Sequence, residues 1–301
     1  MPIEEHEVWQ AWEALRTGGK SAGPDGISVA DFRRFQVREI EGLLEELRAG
    51  RYLHGLYRGV QVRKPTGGRR TIAVANVRDR VVQRVLHDRL APLIEATALD
   101  CSYAYRPERC HLDALERVGA FREDGFRHVI HADIRDCYDE ISLRLVELLL
   151  GPLGVDDATL QLVLECLSAG YVGAARPPDM QGLPQGAVLS PILCNLVLTE
   201  FDRAMQGRHR RLVRFADDFV VLCHSEAGCL RHLARVREAL ANLGLEPNER
   251  KTEITSFDEG FHFLGARLVK SFIVPEKRPP YPCGPGRCVK DRKRIHLDFV
   301  F

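Results

Sequence analysis

Apolar residues recur at helical spacing over residues 4–16 and again over 28–50, where charged residues separate Ile40, Leu43, Leu44 and Leu47. A polar loop, TGGKSAGPDG, lies between these predicted helices at 17–26. From Tyr57 the period changes. YRGVQVRKPTGGRRTIAVA predicts two strands joined around Pro65-Thr66-Gly67-Gly68. A helical period returns over 77–95. Val129-Ile130-His131-Ala132-Asp133-Ile134 is a short apolar run, read as a buried strand with Asp133 near its end. Ser142 is placed to cap a helix carrying Leu145, Val146, Leu148 and Leu149, and Asp156 starts another that runs to about Ala169. Ser190-Pro191 predicts a helix start, with the apolar face Leu193, Leu196, Val197 and Phe201 behind it. LVRFA and FVVLC are apolar strands with Asp217-Asp218 between them. A helix from about Glu226 to Leu243 and strands near 253–257 and 261–269 follow. From Pro275 the chain is rich in Pro and Gly and predicts an extended tail.

Composition narrows the picture modestly. No apolar run approaches the roughly 18–20 residues of a membrane helix, and the acidic, polar start shows no secretory signal. A cytoplasmic protein without a membrane partner is expected. The nine cysteines are odd in number and mostly lie in apolar or helical contexts, so they read as reduced thiols. Cys283 and Cys288, even with His296, fall short of a zinc site. The net charge of +1 says less than its distribution. Arg208, His209, Arg210, Arg211 and Arg214 crowd before a strand, and Lys290, Arg292, Lys293 and Arg294 cluster near the C-terminus. Such clusters suit a phosphate backbone, or simply a solvated surface.

The acidic residues carry the chemistry. Adjacent aspartates between apolar strands repel one another, and Asp has poor strand propensity. A divalent cation removes that penalty, although Asp-Asp turns also occur in ordinary hairpins. Asp133, ending another apolar strand, could come alongside. Three carboxylates at strand ends are hard oxygen ligands suited to Mg²⁺. Two such ions activate a primer 3′-hydroxyl and stabilise a pyrophosphate leaving group.

Further segments follow in order: KPTGGRR (64–70), YAYRP (103–107), DIRDCYD (133–139), GLPQGAVLSPILCN (182–195), FADD (215–218), LGLEPNERKT (243–252) and FHFLG (261–265). This series resembles the reverse transcriptase family, most closely its group II intron-like bacterial branch, over residues 20 to 268. PQG followed by SP and N, between an Asp-containing strand and FADD, is its most specific part. The resemblance implies an α+β right-hand polymerase: fingers and palm, with an antiparallel palm sheet packed on helices. Members of the family continue into a helical thumb, whereas the residues after Leu268 here carry Pro275, Pro279, Pro280, Pro282 and Pro285, so the thumb is expected to be absent, reduced or supplied by another chain. The resemblance implies an N-terminal helix at 1–20 and fingers and palm over 21–268. Fingers would fall at about 21–125 and 140–180, palm at about 126–139 and 181–268, and a basic Pro/Gly-rich tail at 269–301.

By the same resemblance, Asp133, Asp217 and Asp218 bind two Mg²⁺ ions, for which Mn²⁺ can substitute, with the Ile134 carbonyl completing one shell. Lys64 and Arg70 hold the triphosphate, with Arg69 an adjacent competitor. Tyr138 lies beneath the incoming sugar, where a ring excludes a 2′-hydroxyl. Gln185 and Gly186 pack near nucleotide and template. Lys251 serves as general acid when its pKa allows. Phe263, Leu264 and Gly265 form the primer grip. Glu108 replaces the Gly usual after Arg106-Pro107, which leaves that motif's role open. The implied activity is DNA synthesis on an RNA template from a DNA or RNA primer and dNTPs. Its implied setting is a mobile element, CRISPR spacer acquisition or phage defence, with a protein partner supplying thumb or integrase function. A non-catalytic, maturase-like RNA-binding protein, or a subunit that needs a partner, is the alternative. The intact carboxylates favour the enzyme, because binding alone needs no metal triad.

Overall fold

The computed structural model describes residues 2–16, 21–63, 69–172 and 182–275. Strands follow in the order β1 (Tyr57–Arg63), β2 (Arg69–Val74), β3 (His128–Asp133), β4 (Tyr171–Val172), β5 (Arg210–Phe215), β6 (Asp218–Cys223), β7 (Glu253–Ser256), β8 (Phe261–Phe263), β9 (Ala266–Val269) and β10 (Phe272–Pro275). The chain divides into two compact units, Met1–Ala96 with Tyr138–Val197 and Thr97–Cys137 with Leu198–Phe301.

In the first unit the periodic segments form as their patterns predict. The helix Glu5–Leu15 buries Val8, Ala11 and Trp12, and Val77–Glu95 buries Val81, Val82, Val85, Leu86, Leu90 and Ile94. The segment expected as one helix over 28–50 is two, Val29–Arg34 and Gln36–Arg48. The break is at Phe35, whose backbone (φ −118°, ψ 19°) leaves the helical region. β1 and β2 form the expected antiparallel ladder, and β4 adds a short parallel pair to β1 that the sequence did not signal. The hairpin connection 64–68, Lys64 included, and the tail with Cys283, Cys288 and its basic cluster lie outside the described residues.

A polar network organises this unit from within. Gln83 is fully buried. Its amide nitrogen donates to the Tyr57 hydroxyl and meets His54 Nε2, both at 2.8 Å, and its oxygen accepts from Val188 N at 2.9 Å. The Tyr57 hydroxyl in turn donates to the Cys166 carbonyl at 2.9 Å. Asp79, one helical turn before Gln83, accepts from the Tyr52 hydroxyl (2.8 Å) and the Asn76 amide (2.9 Å). Buried polar groups with all partners supplied specify one arrangement of the elements that carry them. Here that arrangement fixes the backbone just after Gln185-Gly186.

The second unit holds the four-stranded antiparallel sheet, in the order β5-β6-β3-β7. β6 is buried from Phe219 to Cys223, so both of its faces are covered and its apolar run is continuous. On one face, Val129, Val213, Val220 and Leu222 pack with Leu115, Val118 and Phe121 of the helix His111–Glu123. On the other, Phe219 meets Phe201 at 5.0 Å between ring centroids. The helix Glu226–Ala241 follows β6 and packs on β3 and β6. The antiparallel sheet packed on helices is thus as expected. Residues 97–125, expected with the fingers, belong by their contacts to this sheet unit, because the helix His111–Glu123 seats its apolar side on β5 and β6. Among the described residues no helix is long and apolar enough to cross a membrane, and all seven described cysteines are free thiols.

Arg214 overturns its reading as part of a surface cluster. It is fully buried with Asp202, and the pair is bidentate: Nε to Oδ1 at 2.7 Å and a terminal nitrogen to Oδ2 at 2.6 Å. Arg214 also donates to the Ala216 carbonyl at 3.0 Å. Removing one partner of such a pair strands a buried charge. Asp202→Ala is therefore expected to cost about 3–5 kcal/mol, measured as a fall in the urea midpoint with an unchanged slope. A loss under 1 kcal/mol (roughly the surface-pair range) would show that solvent reaches the pair.

Candidate active site

β5 and β6 are joined by the two-residue turn Ala216-Asp217, and Phe215 pairs with Asp218 across it. Ala216 takes φ 57°, a left-handed conformation that costs a non-glycine residue roughly 1 kcal/mol. The Arg214 hydrogen bond to its carbonyl holds it there. On the neighbouring strand Asp133 is the direct cross-strand partner of Asp218, and Ile134 N donates to Asp217 O at 3.0 Å. The sheet register therefore gathers Asp133, Asp217 and Asp218, with Ile134 beside them, at one end of two adjacent strand pairs.

Cationic partners surround this acidic cluster. Lys251 Nζ lies 2.7 Å from Asp133 Oδ2. It is aimed by a turn built on Asn248, whose N–H donates to the Asp133 carbonyl at 2.7 Å and whose own carbonyl accepts from Lys251 N at 2.9 Å. His131 Nε2 meets Asp218 Oδ1 at 3.1 Å and its Nδ1 meets Glu253 Oε1 at 3.4 Å. Burial works to lower the His131 pKa. The hydrogen bonds and charges of Asp218 and Glu253 outweigh it and hold the imidazole above its ordinary value. His131 was not singled out in the sequence. Its signal was a histidine two residues before Asp133 on the same strand face.

Asp217 bears the cost of the clustering. Burial first, and then the negative charge of Asp133, push its carboxyl up to about 6. Among the described residues no three His, Cys, Asp or Glu side chains are gathered as a finished metal-ligand set. The donor chemistry nonetheless fits a hard divalent cation: all-oxygen carboxylates whose mutual repulsion such an ion offsets.

The remaining expected residues fall into two groups. Phe263, Leu264 and Gly265 share the unit of the carboxylates. Leu264 (φ 50°) and Gly265 (φ 75°) are the central residues of the β8–β9 turn, both left-handed as a type I′ hairpin requires. Phe263 is buried, edge-on to His131 at 5.9 Å.

Arg70, Tyr138, Gln185 and Gly186 lie together in the other unit. Leu183 N donates to the Tyr138 carbonyl at 2.7 Å, and Ala73 N donates to the Gln185 carbonyl at 2.6 Å. Gly186 has φ 103°, and a Cβ there would stand 2.8 Å from Ile72 Cγ2 and 2.9 Å from Ala73 O, so only glycine fits. Arg70 is exposed on the same strand face as Ile72, the side chain against Gly186, whereas Arg69 alternates to the opposite face. In the YAYRP segment Arg106 donates to the carbonyls of Leu99 (2.6 Å) and Ser102 (2.9 Å), a structural role. Glu108 adopts φ 58°, the conformation that explains the glycine usual there. Ser190 opens its helix but does not cap it by its side chain; its hydroxyl donates to the Pro184 carbonyl at 2.7 Å, tying the helix start to the Gln185 loop.

Residues 62–268 match the family model described as reverse transcriptase (RNA-dependent DNA polymerase). The chain is 28% identical over 297 residues to Protein YkfC of Escherichia coli (strain K12), covering 84% of this chain and 77% of that protein. It is 30% identical over 190 residues to the group II intron-encoded protein LtrA of Lactococcus lactis subsp. cremoris, covering 61% of this chain and 31% of LtrA. Among solved structures, telomerase from Candida albicans in complex with a fragment of telomeric RNA superposes with a TM-score of 0.56 at 14% identity, over 76% of this chain and 48% of that one. That likeness is one of fold.

The cost borne by Asp217 has a measurable sign. Its folded-state pKa is raised above the ordinary Asp value, so the folded, metal-free protein binds the extra proton between about pH 4 and 6 and loses stability as pH rises through that window. Asp217→Asn is expected to stabilise the protein in chelator at pH 7.5 by about 1–3 kcal/mol, and to give no gain near pH 4. Equal melting of both proteins at pH 7.5 would show that the carboxylates do not burden the fold.

Proposed function

Because the chain belongs to the reverse transcriptase family, we propose that it synthesises DNA on an RNA template by adding deoxynucleotides to a primer 3′-end. The observation that supports this most directly is the register of β5, β6 and β3, which gathers Asp133, Asp217 and Asp218 at one sheet end. Similarity to the group II intron-encoded LtrA supports an intron-like, mobile-element setting for the activity.

Asp133, Asp217 and Asp218, with the Ile134 carbonyl, would hold Mg²⁺, which when bound supplies Lewis-acid activation of the 3′-hydroxyl and offsets the triphosphate charge. The chain's other groups do the positioning. Lys251 neutralises Asp133 in the protein alone. Its ammonium is the group of this chain that would give a proton to the departing pyrophosphate. Arg70, rather than Arg69, is the fingers cation for the polyphosphate, because it shares a strand face with the Gly186 contact. The Tyr138 ring stands under the sugar and selects against a 2′-hydroxyl. Gln185 and Gly186 let nucleotide and template approach the backbone, held in place by Ala73 and Gln83. The β8–β9 turn grips the primer through the Leu264-Gly265 backbone.

Purified protein given an RNA template, an annealed DNA primer, dNTPs and Mg²⁺ should extend the primer, and Asp217→Ala/Asp218→Ala should not, while still melting cooperatively. Folded wild type that binds primer–template but never extends it would overturn the catalytic reading in favour of a binding protein. Tyr138→Ala should admit ribonucleotides, raising their incorporation relative to deoxynucleotides by roughly tenfold or more. An unchanged ratio in single-nucleotide kinetics would remove Tyr138 from the sugar site.

A further inference from the structure

The end of β5 away from the Asp217 turn carries a second concentration of charge, of the opposite sign. Arg117 of the helix His111–Glu123, with Arg210 and Arg211 of β5, lines a cavity of ≈ 370 Å³ together with Gln206 and Cys101. Aromatic rings shape this cavity without neutralising it. The Arg117 guanidinium lies over the Phe121 ring at 4.3 Å, and that of Arg211 lies over Phe126 at 4.6 Å and Phe121 at 5.7 Å. Stacking fixes the plane of a guanidinium and leaves its N–H edge available. Arg117 is exposed, and its guanidinium has no hydrogen-bond partner among the described residues. Arg210 and Arg211 donate to main-chain carbonyls, Arg210 to Met205 and Gln206 at 2.9 and 2.6 Å and Arg211 to Gly207 at 3.1 Å, which cancels none of their charge. The one carboxylate in the lining, Asp100, is already engaged by Arg109 at 2.7 Å.

The charge continues past the cavity mouth. Arg208 and His209 precede β5, both exposed, and Arg231 and His232 lie on the helix Glu226–Ala241. These groups feel one another. Burial, and then the positive charges of Arg210, Arg231 and His209, hold His232 below its ordinary pKa. Burial and the charge of Arg235 do the same to Arg210. Among them Arg235 has a carboxylate partner, Glu238 at 2.8 Å. Gathering like charges costs stability that an anionic ligand returns.

We propose that this arginine-lined cavity is a phosphate site, and that the phosphate belongs to the backbone of single-stranded RNA running on over Arg208 and Arg231. A lone phosphate would be satisfied by the cavity. Further exposed cations beyond it, Arg208 and Arg231, suit a chain of phosphates. Arg210 pairs with Cys223, five strand positions from the Phe215–Asp218 pair, so the site lies about 17 Å along the sheet from the carboxylates. It holds RNA away from the reacting end and does not depend on whether the carboxylates catalyse.

The test is fluorescence anisotropy with a short labelled single-stranded RNA, in chelator so that no metal chemistry enters. The variant is Arg117→Gln/Arg208→Gln/Arg231→Gln, all at exposed positions. Its affinity at low salt should fall roughly ten- to a hundredfold, and the slope of log affinity against log salt should shrink by about 2, the counterion count of three phosphate contacts. Arg38→Gln/Arg48→Gln/Arg144→Gln, equal in charge change but outside the cluster, should change neither. Arg208→Gln/Arg231→Gln serves if the triple variant melts early, with a slope loss of about 1.4. Equal losses in the two triple variants, or none in the first, would overturn the site. If inorganic pyrophosphate binds by calorimetry and RNA does not, the cavity takes free phosphate and the backbone assignment is wrong.

Discussion

A guanidinium and a carboxylate that never meet water hold the sheet unit together at its functional end. Arg214 and Asp202 are both fully buried, and two short hydrogen bonds lock the guanidinium plane. The backbone of Arg214 is engaged as well: its N–H donates to Cys101 O at 2.7 Å and its carbonyl accepts from Tyr103 N at 3.0 Å. Strand β5 is thereby tied to the segment before the helix His111–Glu123, and through Ala216 to the turn that carries Asp217. A hydrophobic pair of similar volume would fill the space at less desolvation cost. It could not reach over and hold a left-handed alanine.

The same logic recurs in the other unit with neutral groups. Gln83 bonds through both its amide nitrogen and its oxygen to Tyr57, His54 and Val188, and so ties β1, the segment before it and the Gln185-Gly186 loop to one helix. Gly186 then touches β2 so closely that no side chain fits. In both units a buried polar group fixes a loop of unusual backbone shape, and the loop bears the residues assigned to chemistry. Packing of apolar side chains alone is tolerant of small shifts; a bidentate or three-partner polar contact is not.

Three carboxylates at one sheet end oppose that order. Burial and repulsion raise the Asp217 carboxyl, while Lys251 and His131 supply partial relief. The protein holds together carboxylates whose mutual repulsion a bound cation would offset. At the opposite end of the same hairpin the charge is reversed. The two ends of β5 and β6 thus carry opposite charge: carboxylates at one, guanidinium groups at the other.

Much of this was legible in the linear sequence, for an identifiable reason. Apolar runs with a period near two or near 3.6 and a carboxylate at the end describe their own local structure, so the strands around Asp133 and Asp217-Asp218 and most helices stand where their patterns placed them. The motif series from KPTGGRR to FHFLG resembled one family because the order of short segments survives in the chain itself. Other features depended on contacts between distant segments. Arg214 looked like one more arginine in a basic run, and the helical period over 77–95 did not single out Gln83. The helix His111–Glu123 interleaves its apolar residues with Asp113, Glu116, Arg117 and Arg122 and drew no prediction. The sequence by itself determined most of the strands, which residues could bind a metal and which family they resemble, because those depend on neighbours along the chain. Only the tertiary structure decided which charges are buried, which arginine shares a face with Gly186 and which cations gather into a cavity, because those depend on Asp202, Val188 and Phe121, residues brought in from elsewhere in the chain.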